Sequence, residues 1–163
     1  MRVKNKHRLK HKESIRIFRE IESLFPGESF FDEKKDVVEV GIVSGTKIFF
    51  VNSIPVLMEY NKKVFFTLIG LLRYNPKHRR VVVDMGAVPY VTNGADIMAP
   101  GIVDADTVIK AEEFVWVCDE EHGKPLAVGF SLMSGEEMKN NVKGKAVENI
   151  HWIGGPLWRG LRE

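Results

Sequence analysis

The sequence predicts an α+β protein of two modules, a mixed helix-and-strand first half followed by a small strand-rich barrel. Apolar residues between Ile15 and Phe25 recur at three- and four-residue intervals, as one face of a helix requires. Those of 37–58 and of the second half instead fall in short β-branched runs broken by glycine, asparagine and proline. Charge divides at Asn75-Pro76: residues 1–76 hold 14 basic and 9 acidic side chains, net +5, and residues 77–163 hold 10 and 13, net −3. A chain of 163 residues with 44% hydrophobic content has material for a real core, which excludes global disorder.

The first twelve residues carry Arg2, Lys4, Lys6, Arg8, Lys10 and Lys12 with no acid, the composition of a solvated, flexible arm. From about Lys12 an amphipathic helix follows, with Ile15, Phe18, Ile21, Leu24 and Phe25 on one face, and Pro26-Gly27 ends it. Three short strands are expected at Val37–Val40, Lys47–Val51 and Pro55–Met58. Asn61-Lys62-Lys63 resets the chain, and Phe65–Leu72 reads as a helix apolar on much of its circumference. Asn75-Pro76 stops it, because a residue before proline avoids the helical region, and the domain boundary is placed there, giving modules 1–76 and 77–163.

In the second module, strands are expected at Arg79–Val83, Ile97–Met98, Thr107–Ala111, Glu113–Cys118, Pro125–Phe130 and Val147–Ile153. A short helix is expected at Gly86–Asn93, and one or two helical turns at Gly135–Asn141. Residues 119–124 read as a hairpin turn. Many short strands with glycine-rich turns and little helix point to a small barrel.

Catalytic constellations find little support. His7, His11, His78, His122 and His151 are scattered and none stands at ligand spacing from Cys118, the single cysteine, so no metal or other cofactor is expected. Gly129-Phe-Ser131-Leu-Met133 lacks the closing glycine of a nucleophile elbow. Gly41 to Lys47 has the wrong spacing for a phosphate loop, and Asp104 and Asp106 have no third carboxylate beside them. Trp116 and Trp152 lie inside apolar strand patterns and read as core. No stretch approaches the roughly 18 apolar residues that span a bilayer. No cleavable leader opens the chain, so a cytoplasmic protein without enzymatic activity is expected.

Residues 84–101 stand apart because Gly86, Gly94, Pro100 and Gly101 all control backbone shape. Asn93-Gly94 takes positive φ at low cost and turns the short helix into the strand at Asp96–Met98. With no side chain at Gly94 and a methyl at Ala95, a phosphodiester has room to approach main-chain N–H groups, so that an acidic domain can hold RNA. On residue chemistry alone this reading and a corner that serves only barrel closure stand level.

The pattern D-x-G-A-x-x-x-V-x-x-G-A-D-I-M-x-P-G-I at Asp84–Ile102, with Ala127-Val-Gly-Phe130 and Gly144-Lys-Ala-Val-Glu-Asn-Ile-His151, resembles a PUA domain, the pseudobarrel named after pseudouridine synthases and archaeosine transglycosylases. Lys47-Ile-Phe-Phe-Val-Asn52, Phe65–Tyr74 and Val147–Trp152 further resemble the malignant T-cell-amplified-sequence family, across roughly residues 12–160 and in the form of an archaeal homologue. That resemblance implies a pre-PUA α/β module followed by a PUA pseudobarrel. It implies structured-RNA binding at the corner Gly94, Ala95, Asp96, Ile97 and Met98, with Pro100-Gly101 shaping the turn. It also implies action in translation initiation, re-initiation or ribosome recycling on the small ribosomal subunit, with rRNA or tRNA as ligand and a density-regulated-protein-like partner. The cations Lys4, Lys6, Arg8, Lys10 and Lys12 are expected to add sequence-independent attraction for phosphates. Two other classes remain: an accessory for an RNA-modifying enzyme, and a protein-interaction adaptor using the Phe65–Tyr74 helix and Trp158.

Overall fold

A computed structural model describes all of residues 1–163 and divides into two compact units, 1–76 together with 159–163, and 77–158. The break at Pro76 alone would place everything after it in the second module. The last five residues instead join the first unit, where the space beside Gly160 is so narrow that an added Cβ would collide with Ser44 Oγ.

The first unit runs β1 (Lys4–Arg8), α1 (His11–Ser23), β2 (Val38–Val43), β3 (Thr46–Val51), β4 (Ile54–Tyr60), β5 (Lys63–Phe66) and α2 (Leu68–Tyr74). Its five strands form one antiparallel sheet in chain order. Three successive two-residue turns explain that meander. Ser44-Gly45, Asn52-Ser53 and Asn61-Lys62 all take positive φ at both positions, the geometry whose twist matches that of paired strands. The basic N-terminus is therefore not a flexible arm. Lys4–Arg8 pairs antiparallel with β2 through a bulge at Asn5, φ 55°. Lysine-rich, exposed and bulged, it is a sheet edge protected against further pairing.

The apolar run at 63–72 also divides differently from the expected helix. The Asn61-Lys62 turn sends Lys63–Phe66 back along β4 as a strand. Thr67 then starts α2, its Oγ1 accepting from Gly70 N (3.1 Å) and donating to Pro55 O (2.8 Å). Gly70 lets α2 lie directly on β4, since a Cβ there would collide with Val56 O. Glu20 of α1 accepts from Val64 N of β5 (2.8 Å). An aromatic cluster of Phe18, Phe25, Phe31, Phe65, Phe66 and Tyr74 fills the core, with Phe18 and Phe31 stacked at 4.4 Å.

The second unit runs β6 (Arg80–Val83), α3 (Val88–Val91), β7 (Ile97–Met98), a 3-10 turn (Ala99–Gly101), β8 (Ile102–Ala105), β9 (Phe114–Asp119), β10 (Pro125–Ser131), α4 (Gly135–Asn140) and β11 (Lys145–Trp152). A last helix, α5 (Pro156–Arg162), which the sequence pattern does not announce, closes the chain. The sheet order is β7-β11-β10-β9-β6-β8, antiparallel throughout except for β6 with β9. It curls into a pseudobarrel around Val81, Val83, Val115, Val117, Ala127 and Val147. The strand expected at Thr107–Ala111 is a turn instead, and Ile102–Ala105 supplies the strand that pairs with β6. Asp106 is the reason: its carboxylate accepts from Val108 N (3.1 Å) and Arg79 N (2.7 Å), which folds the chain back on itself. Trp116 is core, its Nε1 donating to His78 O at 2.8 Å. Cys118 is fully buried, and burial pushes its thiol up to about 11, so it stays protonated.

The two units are proposed to be separable domains. A fragment of residues 77–163 is expected to unfold in one cooperative thermal transition followed by circular dichroism, and a fragment of 77–158 to melt at nearly the same temperature. An unfolded 77–163 fragment counts against the boundary.

Candidate nucleic-acid interface

The corner after α3 is built by two backbone hydrogen bonds. Ala95 N donates to Tyr90 O (3.0 Å) and Gly94 N to Val91 O (3.1 Å), the paired six-to-one and five-to-two bonds of a Schellman termination. Gly94 takes the left-handed conformation this needs, φ 89°. It has a second reason to be glycine: an added Cβ would lie 2.7 Å from the indole of Trp152 on β11. The space left by the missing side chain is thus filled from within the protein, while the main chain at Gly94 remains half-exposed. Ile97 turns inward. At 2% exposed it belongs to the core and forms the floor of the site, not its surface.

Asn149 of β11 ties the corner down from the sheet side. Its Nδ2 donates to Val91 O (3.1 Å) and Ala95 O (3.0 Å), and its backbone N donates to Asp96 Oδ1 (3.0 Å). Asp96 Oδ2 lies 3.4 Å from Lys145 Nζ. The carboxylate therefore caps the corner, and its charge is offset on the spot.

Beside this corner is a cleft of about 140 Å³, lined by Ala87, Tyr90, Val91, Asp96, Ile97, Met98 and Gly101. Tyr90 is 68% exposed and Met98 45% exposed, large apolar side chains held at the surface. Ala95 and Pro100 are exposed as well. Met98 pairs in register with Lys145, and Ala99 N donates to Gly144 O (2.8 Å), so the exposed Lys143 and Lys145 border the same edge. An aromatic face, a flexible thioether and two cations together suit a base with its phosphates.

The corner residues lie together in the second unit, and the five predicted cations belong to the first. Lys4, Lys6 and Arg8 are exposed on β1, while Lys10 precedes α1 and Lys12 lies within it. Lys6 is partly engaged, 3.9 Å from Glu39 and 4.7 Å above the Phe50 ring. Sequence reasoning missed Tyr90, Lys145, Asn149 and Trp152. The only local signal was an aromatic in an otherwise small-residue helix, because the other three lie about fifty residues away in the chain.

Comparison with known proteins matches the PUA domain to residues 79–153 and a domain of unknown function, DUF1947, to residues 5–74. The chain is similar to the uncharacterized protein MJ1432 of Methanocaldococcus jannaschii, 42% identical over 97% of this chain and 98% of that one. It is 32% identical to human malignant T-cell-amplified sequence 2, over 82% of this chain and 79% of that one. Translation machinery-associated protein 20 of Schizosaccharomyces pombe is 38% identical over 52% of this chain and 49% of its own length. Among solved structures, hypothetical protein PH0734.1 of Pyrococcus horikoshii superposes with a TM-score of 0.87 and 40% identity, covering 94% of this chain and 98% of that one. No helix is long and apolar enough to cross a membrane.

His151, two residues beyond Asn149, is 1% exposed, and burial lowers its pKa to about 3. The unfolded chain takes up a proton near pH 6.5 and the folded one near 3, so the stability tied to neutral His151 is complete above about 6.5 and is lost as pH falls. The expected loss is about 1.4 kcal/mol per pH unit in that window. Denaturant titrations between pH 7.5 and 4.5 are expected to give a shallower stability slope for His151→Gln than for wild type, and equal slopes would assign the acid sensitivity to other groups.

Proposed function

The chain belongs to the malignant T-cell-amplified-sequence family, and we propose that it binds RNA of the translation apparatus through the corner cleft of its PUA domain, without covalent chemistry. What carries this reading is the meeting of exposed Tyr90 and Met98 with the cations Lys143 and Lys145 on one edge of a domain that is acidic as a whole. Phosphate attraction there is local, and stacking on Tyr90 adds contact that does not depend on charge. The ligand is rRNA or tRNA on the small ribosomal subunit in the cytoplasm, during initiation or recycling. A density-regulated-protein-like partner fits the same family membership. The printed name of the Schizosaccharomyces pombe relative, translation machinery-associated protein 20, supports the setting. The cations Lys4, Arg8, Lys10 and Lys12 supply long-range attraction from the first unit, each exposed to solvent. Recovery of the protein on small subunits from cell extracts tests the assignment, and recovery only with an RNA-modifying enzyme or a lone protein partner overturns it.

Ala95→Glu places bulk and charge on the exposed corner and is expected to weaken RNA binding by about 1–3 kcal/mol, the size of one charge-assisted hydrogen bond, with little change in melting temperature. Affinity and melting measured on the same preparation decide it: a folded variant with wild-type affinity removes this surface. Because Lys4–Arg8 is a strand, the cations are best tested by neutralisation in place and not by deletion. Replacing Lys4, Lys10 and Lys12 by Gln is expected to reduce the slope of log affinity against log salt by about 0.7–0.9 for each phosphate that is no longer neutralised. An unchanged slope makes these lysines bystanders.

A further inference from the structure

We propose that Asn149 is the positioning residue of the corner, setting the geometry of the turn between Val91 and Ala95 for RNA without itself touching the RNA; the inference rests on the corner being the RNA-docking surface. The helix end is already terminated by its Schellman pair, and Trp152 already packs beneath Gly94. Asn149 adds ties of a different kind. Its single amide nitrogen holds the carbonyls of Val91 and Ala95, the residues that bracket this turn, while its backbone N–H holds the carboxylate of Asp96. These bonds fix the peptide planes of the surface turn and leave the barrel core untouched.

The orientation of the amide follows from its surroundings, because turning it over would set Oδ1 against two carbonyl oxygens. In this orientation Oδ1 is buried with no hydrogen-bond partner. The two donations from Nδ2 hold the turn in one conformation, and a loop ordered beforehand loses less entropy when a ligand docks.

The test uses the full chain and two end-labelled probes, bulk tRNA and small-subunit ribosomal RNA, with affinity measured by filter binding well below each variant's melting midpoint. Asn149→Leu removes both donations and the unsatisfied oxygen at similar size, and Asn149→Ser serves if the leucine variant does not fold. The expected result is a folded protein that binds the better probe about tenfold more weakly. Amide hydrogen exchange should accelerate at Gly94 and Ala95 and stay at wild-type rates at Val117 and Val128. A merely structural role lowers the melting midpoint and leaves affinity in the folded variant, and exchange at the corner, where they were; that pattern overturns the inference alone. Wild-type protein that binds neither probe overturns the RNA reading and this inference with it.

Discussion

Everything distinctive in the second unit depends on the contact between the bare Cα of Gly94 and the indole ring of Trp152. No L side chain fits there, because a Cβ would lie 2.7–3.1 Å from three ring atoms. The contact presses the helix-to-strand corner onto β11 at a point where β7, only two residues long, has few ladder bonds of its own. With the corner fixed from beneath, Tyr90 and Met98 face outward, and Ile97 is drawn into the core. The bare Cα of Gly94 is thus a point at which the protein packs against itself.

Electrostatics divide between the units in a way that net charge conceals. The formal charge of the whole chain is +2, yet the second half alone is −3. Its acids are not spread evenly. Asp106 and Asp119 are spent on turns, accepting backbone N–H groups, and Asp96 is offset by Lys145. Backbone donors hold Asp119 below the ordinary carboxylate range, as expected for an anion serving as a cap. With Asp96 and Lys145 offsetting one another, what remains at the cleft edge is the exposed Lys143, so this edge of an acidic domain is not itself acidic.

The first unit gains its order from short-range rules acting in sequence. Three positive-φ turns compel an antiparallel meander, and the aromatic cluster then covers one side with α1. Non-glycine residues at Ser44, Ser53 and Lys62 carry strain in those turns. Pairing along the three ladders that these turns join offsets it, and the basic N-terminus adds a fourth ladder as β1 at the edge.

How much of this was legible in the sequence depends on the range of the interaction concerned. Helix α1, the strands β2 to β4 and β9 to β11, and the punctuation at Pro26-Gly27 and Asn75-Pro76 were readable because periodicity and backbone restriction act within a few residues. So was the special character of Gly94 to Met98, whose residue types state their own φ preferences, together with the family pattern across Asp84–Ile102. Tertiary structure alone decided that Lys4–Arg8 is a strand, since lysine-rich segments acquire ladder bonds only when a neighbour offers an edge. It alone divided Phe65 from Leu68, where the hairpin turn before and the Thr67 cap within overrode apolar periodicity. It also assembled the corner. Trp152, Asn149 and Lys145 reach the corner across more than forty residues of chain, through a sheet register that no local pattern encodes, so sequence marked the corner and only packing could say which of its atoms face solvent.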